Sequence, residues 1–130
     1  MSIGGLSVRG LLAGVMLAGV LPAMPAFAHH GWAWTEEAFF ELTGIIKSVY
    51  VGNPHATMDV DVDGVVWRVE LAPPGPTMAA GFTEETAKPG DEVVALGNRS
   101  LDPNEKRMKA VRITVGGKAY DIYPSRVPAN

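Results

Sequence analysis

The feature that most constrains the fold is a strict alternation of apolar and polar residues in the run 56–63. The apolar positions of this run are Ala56, Met58, Val60 and Val62. Successive side chains of a β-strand point to opposite faces, so the pattern predicts a strand with one buried and one hydrated face. Asn53-Pro54-His55 comes just before it, and Pro54 has no N–H to donate to a neighbouring strand. Strand pairing is therefore expected to begin after this motif, with His55 as the first side chain on the hydrated face.

Turn signals divide the rest of the chain into further strands. Asp63-Gly64 is a strong hairpin signal and sends the chain back through residues 65–71. Prolines between Pro73 and Pro76 end that strand, and a short helix is expected within 77–82. Other strands are expected at 41–51, 92–97, 108–115 and 118–123, the last pair joined by Gly116-Gly117.

This order predicts an all-β fold, a small five- to six-stranded OB-like Greek-key barrel with a short helix between strands 3 and 4. An open sandwich of the same strands is the alternative. The alternating positions predict a core that includes Leu42, Ile46, Met58, Val60, Val62, Trp67, Val69, Val93, Val111 and Ile113.

The first 28 residues have the features of a secretory signal peptide. Arg9 precedes an apolar run over 11–20, and Ala26-Phe27-Ala28 matches the small-residue cleavage motif. The apolar run is shorter than the ~20 residues needed to span a bilayer, so no stable membrane insertion is expected after cleavage. The expected organisation is a signal peptide over 1–28, an N-terminal arm over 29–38, a barrel over 39–123 and a C-terminal tail over 124–130. The expected location is periplasmic or secreted.

Charge and cysteine content narrow the function classes. Removal of Arg9 with the signal leaves 10 Lys and Arg against 14 Asp and Glu, a net charge of −4 with histidine neutral. An exported, acidic domain is a poor partner for nucleic acid, so none is expected. The chain has no cysteine, which excludes disulfides and a cysteine nucleophile. The basic residues of the later strands, Arg68, Arg99, Lys106, Arg107, Lys109 and Arg112, are expected to form a solvated face.

Several motifs together resemble a family of small exported bacterial proteins known only as a domain of unknown function. The motifs are Ala28-His29-His30, Leu42-Thr43-Gly44, Asn53-Pro54-His55, Trp67-Arg68-Val69-Glu70 and Lys88-Pro89-Gly90-Asp91. The resemblance covers essentially the whole mature chain and implies an exported OB-like barrel. It implies no activity and no catalytic residue.

All three histidines lie in two of these motifs. Cleavage after Ala28 gives His29 a free α-amine, so the amine and the imidazole can chelate one metal ion, with His30 or His55 adding another nitrogen. Nitrogen ligands of this kind favour copper(II), with zinc and nickel behind. The sequence therefore suggests a metal site made of His29, His30 and His55, with copper as the possible cofactor.

Two other functions remain open. One is a metal-free barrel that binds a protein partner or a small molecule through Trp32, Trp34, Glu70 and Pro73, although the simpler interpretation of the tryptophans is anchorage of the arm. The other is a copper-dependent oxidoreductase, which is placed last because no substrate surface can be identified and no catalytic residue is assigned.

Overall fold

The computed structural model describes residues 31–130 together with Gly4, Gly5, Gly14 and Gly19. The predicted signal sequence and cleavage site, His29 and His30 lie outside these described residues, apart from the four glycines. Within the described part of the chain, no helix has the length and apolar character needed to cross a membrane.

Six strands form one sheet that closes into a barrel. They are β1 (Phe40–Tyr50), β2 (Thr57–Val62), β3 (Val65–Glu70), β4 (Glu92–Arg99), β5 (Arg107–Val115) and β6 (Lys118–Asp121). Neighbours follow the order β3-β2-β1-β4-β5-β6, and a parallel pairing of β3 with β5 closes the ring. Five strands thus make the closed barrel and β6 is an extra strand on β5. A helix, α1 (Pro74–Ala79), lies between β3 and β4. This is the predicted OB topology.

The barrel interior contains nearly all of the predicted core. Val60, Val69, Val93 and Ile113 are fully buried, and Trp67 is 7% exposed. Leu71, which shares the apolar face of Trp67 and Val69, is also fully buried. Phe82, Met108 and Ala110 are fully buried as well, and the sequence pattern did not identify them. Val62 is only half-buried, contrary to expectation. It pairs with Val65 at the end of the hairpin, where fewer side chains are available to cover it.

Two bulges change which face of a strand is buried. On β1, Ile46 pairs with Val60 and Ser48 with Asp59, so Lys47 is an extra residue. On β5, Arg112 pairs with Leu96 and Ala110 with Gly97, so Val111 is an extra residue. An extra residue shifts the alternation by one position. Val111 is consequently buried, as predicted, but it lies outside the main core cluster.

The helix begins earlier than the sequence predicted. Pro74 and Pro76 lie in its first turn rather than only ending the preceding strand. Helix N–H groups in the first turn have no intrahelical partner, so proline costs little there and its fixed φ favours the turn. At the C-terminus, a 3₁₀ turn spans Pro124–Arg126, where the sequence predicted a loose tail.

One end of the barrel is covered by an aromatic pair. Phe40 stacks on Trp67 with ring centroids 5.4 Å apart. The Arg99 guanidinium lies 5.2 Å from the Phe40 ring centroid, and the Lys106 ammonium lies 5.4 Å from that of Trp67. These side chains separate the apolar interior from solvent at the start of β1 and the end of β4.

Candidate functional site

The N-terminal arm runs along β4 and β5 and is held there by backbone hydrogen bonds. Thr35 forms an antiparallel bridge with Ser100. The Glu36 N–H donates to the Arg99 carbonyl at 2.8 Å, and the Leu101 N–H donates to the Trp34 carbonyl at 2.9 Å. The arm is therefore a fixed part of the domain from residue 31 onward.

Trp32 is the centre of the contacts that hold the arm. Its ring meets that of Tyr123 edge-on, with centroids 5.1 Å apart. The Arg126 guanidinium carbon lies 4.0 Å from the indole centroid and the Lys109 Nζ lies 4.8 Å from it. Cations close to an indole ring are attracted by its negative face. Trp32 thus joins the arm, β5 and the C-terminal turn, which supports the simpler interpretation that it anchors the arm.

Lys109 corrects the expectation of a solvated basic face. It is only 3% exposed, and its Nζ donates to the Gly31 carbonyl at 2.7 Å. Burial lowers the pKa of the Lys109 ammonium below its ordinary value, while the negative charge of Glu70 opposes this and Arg126 and Arg107 add to it. The Lys109 side chain points to the outer face of β5. The arm packs on this face and therefore covers Lys109.

The pH dependence of stability tests this burial. Because the folded protein lowers the pKa of Lys109, the unfolded chain binds more protons between that lowered value and 10.5. The buried charge of Lys109 therefore opposes folding at neutral pH, and this cost decreases as the pH rises from the lowered pKa towards 10.5. We expect the unfolding free energy of wild type to rise relative to that of Lys109→Met over this range, in urea titrations at each pH. Tyr123, whose pKa burial raises, titrates in both proteins, so its contribution largely cancels in the difference. A constant difference would contradict the burial of a charged lysine.

Trp34 and Glu70, two of the predicted partner-binding residues, are joined through Arg107. The Arg107 guanidinium carbon lies 3.8 Å from the Trp34 ring centroid. Arg107 also donates to Glu70 Oε1 through Nη2 at 2.6 Å and through Nε at 3.0 Å. Glu70 therefore has an ion-pair partner, and the group of three holds the arm to β3 and β5. A role for these residues in binding a partner stays a prediction.

His55 and Pro73 lie just beyond the Thr57–Glu70 pair of β2 and β3. His55 is half-buried and Pro73 is exposed. The Ala56 N–H donates to the Ala72 carbonyl and the Leu71 N–H donates to the Ala56 carbonyl, both at 2.9 Å, so the residues next to His55 and Pro73 are hydrogen-bonded. The described residues contain no group of three or more metal-ligating side chains. Of the three predicted ligands, only His55 is among them.

A cavity of about 590 Å³ lies between the arm and the end of β4. Its walls include two aromatic residues, two carboxylates, one guanidinium and one amide: Trp32, Phe39, Glu36, Glu37, Arg126 and Asn98. Asn98 is 6% exposed, and its Nδ2 donates to the carbonyls of Glu37 and Ala38 at 3.1 and 3.2 Å. Sequence reasoning identified Trp32 but missed Asn98 and Arg126, because the segments that bring them together are distant in sequence and lack a motif.

Comparison with known proteins gives a family but no activity. A model of the family of unknown function DUF6152 matches residues 18–109. A search of curated proteins found no match. Among solved structures, a chain of the S. pombe Stn1-ten1 complex has 18% sequence identity and a TM-score of 0.49, and the match covers 59% of this chain and 57% of that chain. That likeness is too low to support a functional argument. The family model spans most of the chain, so the protein belongs to the family of unknown function DUF6152, as its sequence motifs predicted.

Proposed function

We propose that the protein is an exported binding protein that holds a copper(II) ion between its mature N-terminus and His55. The proposal begins with the signal-peptide features of residues 1–28, which would leave His29 as the first residue after export. The α-amine and imidazole of His29 would then be the primary chelate. His30 and His55 would supply further imidazole nitrogens, a ligand set that copper(II) favours.

The observation that carries the proposal is the hydrogen bond from Lys109 to the Gly31 carbonyl, 2.7 Å long. Gly31 directly follows His30, so the chain is fixed one residue after the predicted ligands. The contacts of Trp32 with Tyr123 and Arg126 hold the next residue as well. This arrangement supports a site near the outer face of β5, because the two histidines can extend only a short distance from a fixed point.

Strand register supports His55 as a partner for that terminus. Lys109 pairs with Glu70, and Glu70 pairs with Thr57, so three adjacent strands form one row. Regular strand geometry, with strands about 4.8 Å apart and a rise of about 3.3 Å per residue, would put His55 about 12 Å from Lys109 along the sheet. Each of the two preceding residues adds up to ~3.6 Å of reach beyond Gly31, and the imidazoles add more. His55 also has the outward parity of Thr57, since Ala56 between them is fully buried.

Calorimetric copper(II) titrations test the site. The proteins are exported wild type, His55→Ala, and a form with one alanine inserted before His29, each with its N-terminus established by intact mass. We expect the insertion to weaken binding at least tenfold because it moves the free amine away from His29, and the loss of His55 to weaken it about tenfold. Affinity should also fall as the pH drops through about 6.5, because protons compete for imidazole nitrogen.

Thr57→Ala is the matched control for His55→Ala, since Thr57 has the same outward parity and no imidazole. It should bind copper as wild type does. Equal affinity in all four proteins would overturn the metal site. A loss confined to the insertion form would mean that His29 and His30 bind copper without His55. A processed protein that starts beyond His30 would remove the site altogether.

A second function, binding an organic ligand or a protein without a metal, has a separate structural basis. The cavity between the arm and β4 has aromatic and charged walls and does not involve the histidines. Loss of the copper site would therefore leave this function in place.

A further inference from the structure

We infer that the cavity between the arm and β4 binds a small zwitterion, an amino-acid-like molecule whose ammonium and carboxylate are separated by a short apolar chain. The inference is independent of the copper proposal. It rests on the charges around the cavity, on a buried amide in its wall, and on its size.

The cavity has charges of both signs that do not pair with one another. Arg126, Glu36 and Glu37 all line it. The ion pairs in the described part of the chain use Arg68, Arg107 and Arg112 as their cations, and none of them includes Arg126, Glu36 or Glu37. Arg126 is instead stacked on Trp32. A ligand with one charge of each sign would satisfy both kinds of group at once.

Asn98 supplies a polar atom for the ligand. The side-chain NH₂ group of Asn98 donates to the carbonyls of Glu37 and Ala38. Because a carbonyl can only accept, these two bonds determine which side-chain atom of Asn98 is Nδ2 and which is Oδ1. The Oδ1 atom accepts no hydrogen bond from any described residue. Every fully enclosed side-chain nitrogen or oxygen in that part of the chain has a partner, so Oδ1 must be accessible to solvent. Asn98 is 94% buried and lines the cavity, so a ligand donor in the cavity would supply the partner that this oxygen lacks among the described residues.

The chemistry of these side chains determines which group of the ligand each of them would bind. The ammonium lies towards Glu36, Glu37 and Asn98 Oδ1, which all accept hydrogen bonds. The carboxylate lies towards Arg126, whose guanidinium donates to carboxylates with favourable geometry. The apolar chain passes Phe39, which is 45% exposed although it is aromatic. A cavity of about 590 Å³ has room for such a molecule with some water.

Calorimetry with compounds of one length separates the charges. The probes are 6-aminohexanoate, hexanoate and hexylammonium, titrated into the protein as recovered after export, without added metal. We expect 6-aminohexanoate to bind at least about tenfold more tightly than either single-charge compound, since each lacks one charge-assisted hydrogen-bond group. Glycine and 4-aminobutanoate, run alongside, report the preferred distance between the two charges. Equal affinity for hexanoate or hexylammonium, or no binding by any of the three zwitterions, would overturn the inference.

Reversing the charge at position 126 should change which ligand the cavity prefers, a result that a purely structural role of Arg126 would not produce. Arg126→Glu should shift the preference from 6-aminohexanoate to hexane-1,6-diamine, because every charged side chain that lines the cavity would then attract ammonium. Arg126→Gln should weaken 6-aminohexanoate about tenfold and leave hexylammonium unchanged. Lys88→Gln is the matched control for Arg126→Gln, because it also removes one positive charge but lies on an exposed turn. It should bind all of the probes as wild type does. An unchanged preference in folded Arg126→Glu, or an equal loss for all probes in Arg126→Gln, would show that Arg126 does not recognise the carboxylate.

Discussion

Val60→Asp is expected to unfold the protein or to destabilise it by about 4 kcal/mol or more. Val60 is fully buried in β2 and pairs with Ile46 of β1 and Trp67 of β3. A carboxylate at this position would lie in the barrel interior, where the side chain has no exposure to solvent, so its charge would lose its hydration. Urea titration with near-ultraviolet circular dichroism, which reports the packing of Trp67, measures the effect.

Val65→Asp is the matched control for this substitution. It is the same chemical change in the same hairpin, but Val65 is 45% exposed. Its side chain can place the carboxylate in water, so we expect a loss of less than about 1 kcal/mol. Similar unfolding midpoints for Val60→Asp and wild type would mean that the faces of β2 are reversed.

Gly97→Ala is expected to produce the second largest loss, about 3 kcal/mol, with β4 and β5 forced apart. A Cβ atom at position 97 would lie 2.7 Å from the Ala110 Cα and still closer to the Lys109 carbonyl oxygen. Both atoms belong to the backbone of the paired strand, so no side-chain rotation can make room. This close approach lies next to the bulge on β5, where Val111 is the extra residue between the Leu96–Arg112 and Gly97–Ala110 pairs.

Gly75→Ala makes the same substitution where space is available. Apart from its chain neighbours and the helix backbone, no atom lies within 4 Å of a Cβ added at position 75 in α1. Alanine before Pro76 strains the helical backbone, but it meets no paired strand, so it should cost less than alanine at position 97. The comparison by thermal unfolding therefore separates a steric effect from the general loss of a glycine. Equal melting temperatures for the two variants would contradict the close approach of β4 and β5.

Local patterns predicted much of the fold. Alternation over 56–63 and the Asp63-Gly64 turn predicted β2, β3 and their hairpin, and the structure confirms both strands. The order of strands and helix was enough to predict an OB-like barrel. The positions of the bulges were not predictable, because Lys47 and Val111 become extra residues only through pairing with distant strands. Met108 and Ala110 were missed for that reason, since they precede the shift on β5.

The candidate sites were less predictable than the fold. The tryptophans indicated an arm that packs on the barrel, and the structure shows Trp32 half-buried against Tyr123. Lys109 has the sequence signature of a surface residue, and only the path of the arm over β5 buries it. The cavity depends on residues 32–39, Asn98 and Arg126, which no short motif connects. The histidine site stays a prediction from sequence.

The contact between Trp32 and Arg126 brings the two ends of the domain together. When the two ends of a domain lie close together, circular permutation is tolerated: the original ends are linked and new termini are made elsewhere without loss of the fold. The Gly116-Gly117 turn between β5 and β6 is exposed and is a suitable site for the new termini. In such a circular permutant the arm would become an internal linker. The free α-amine of His29 that the copper proposal requires would then be absent, whereas the walls of the cavity would be retained.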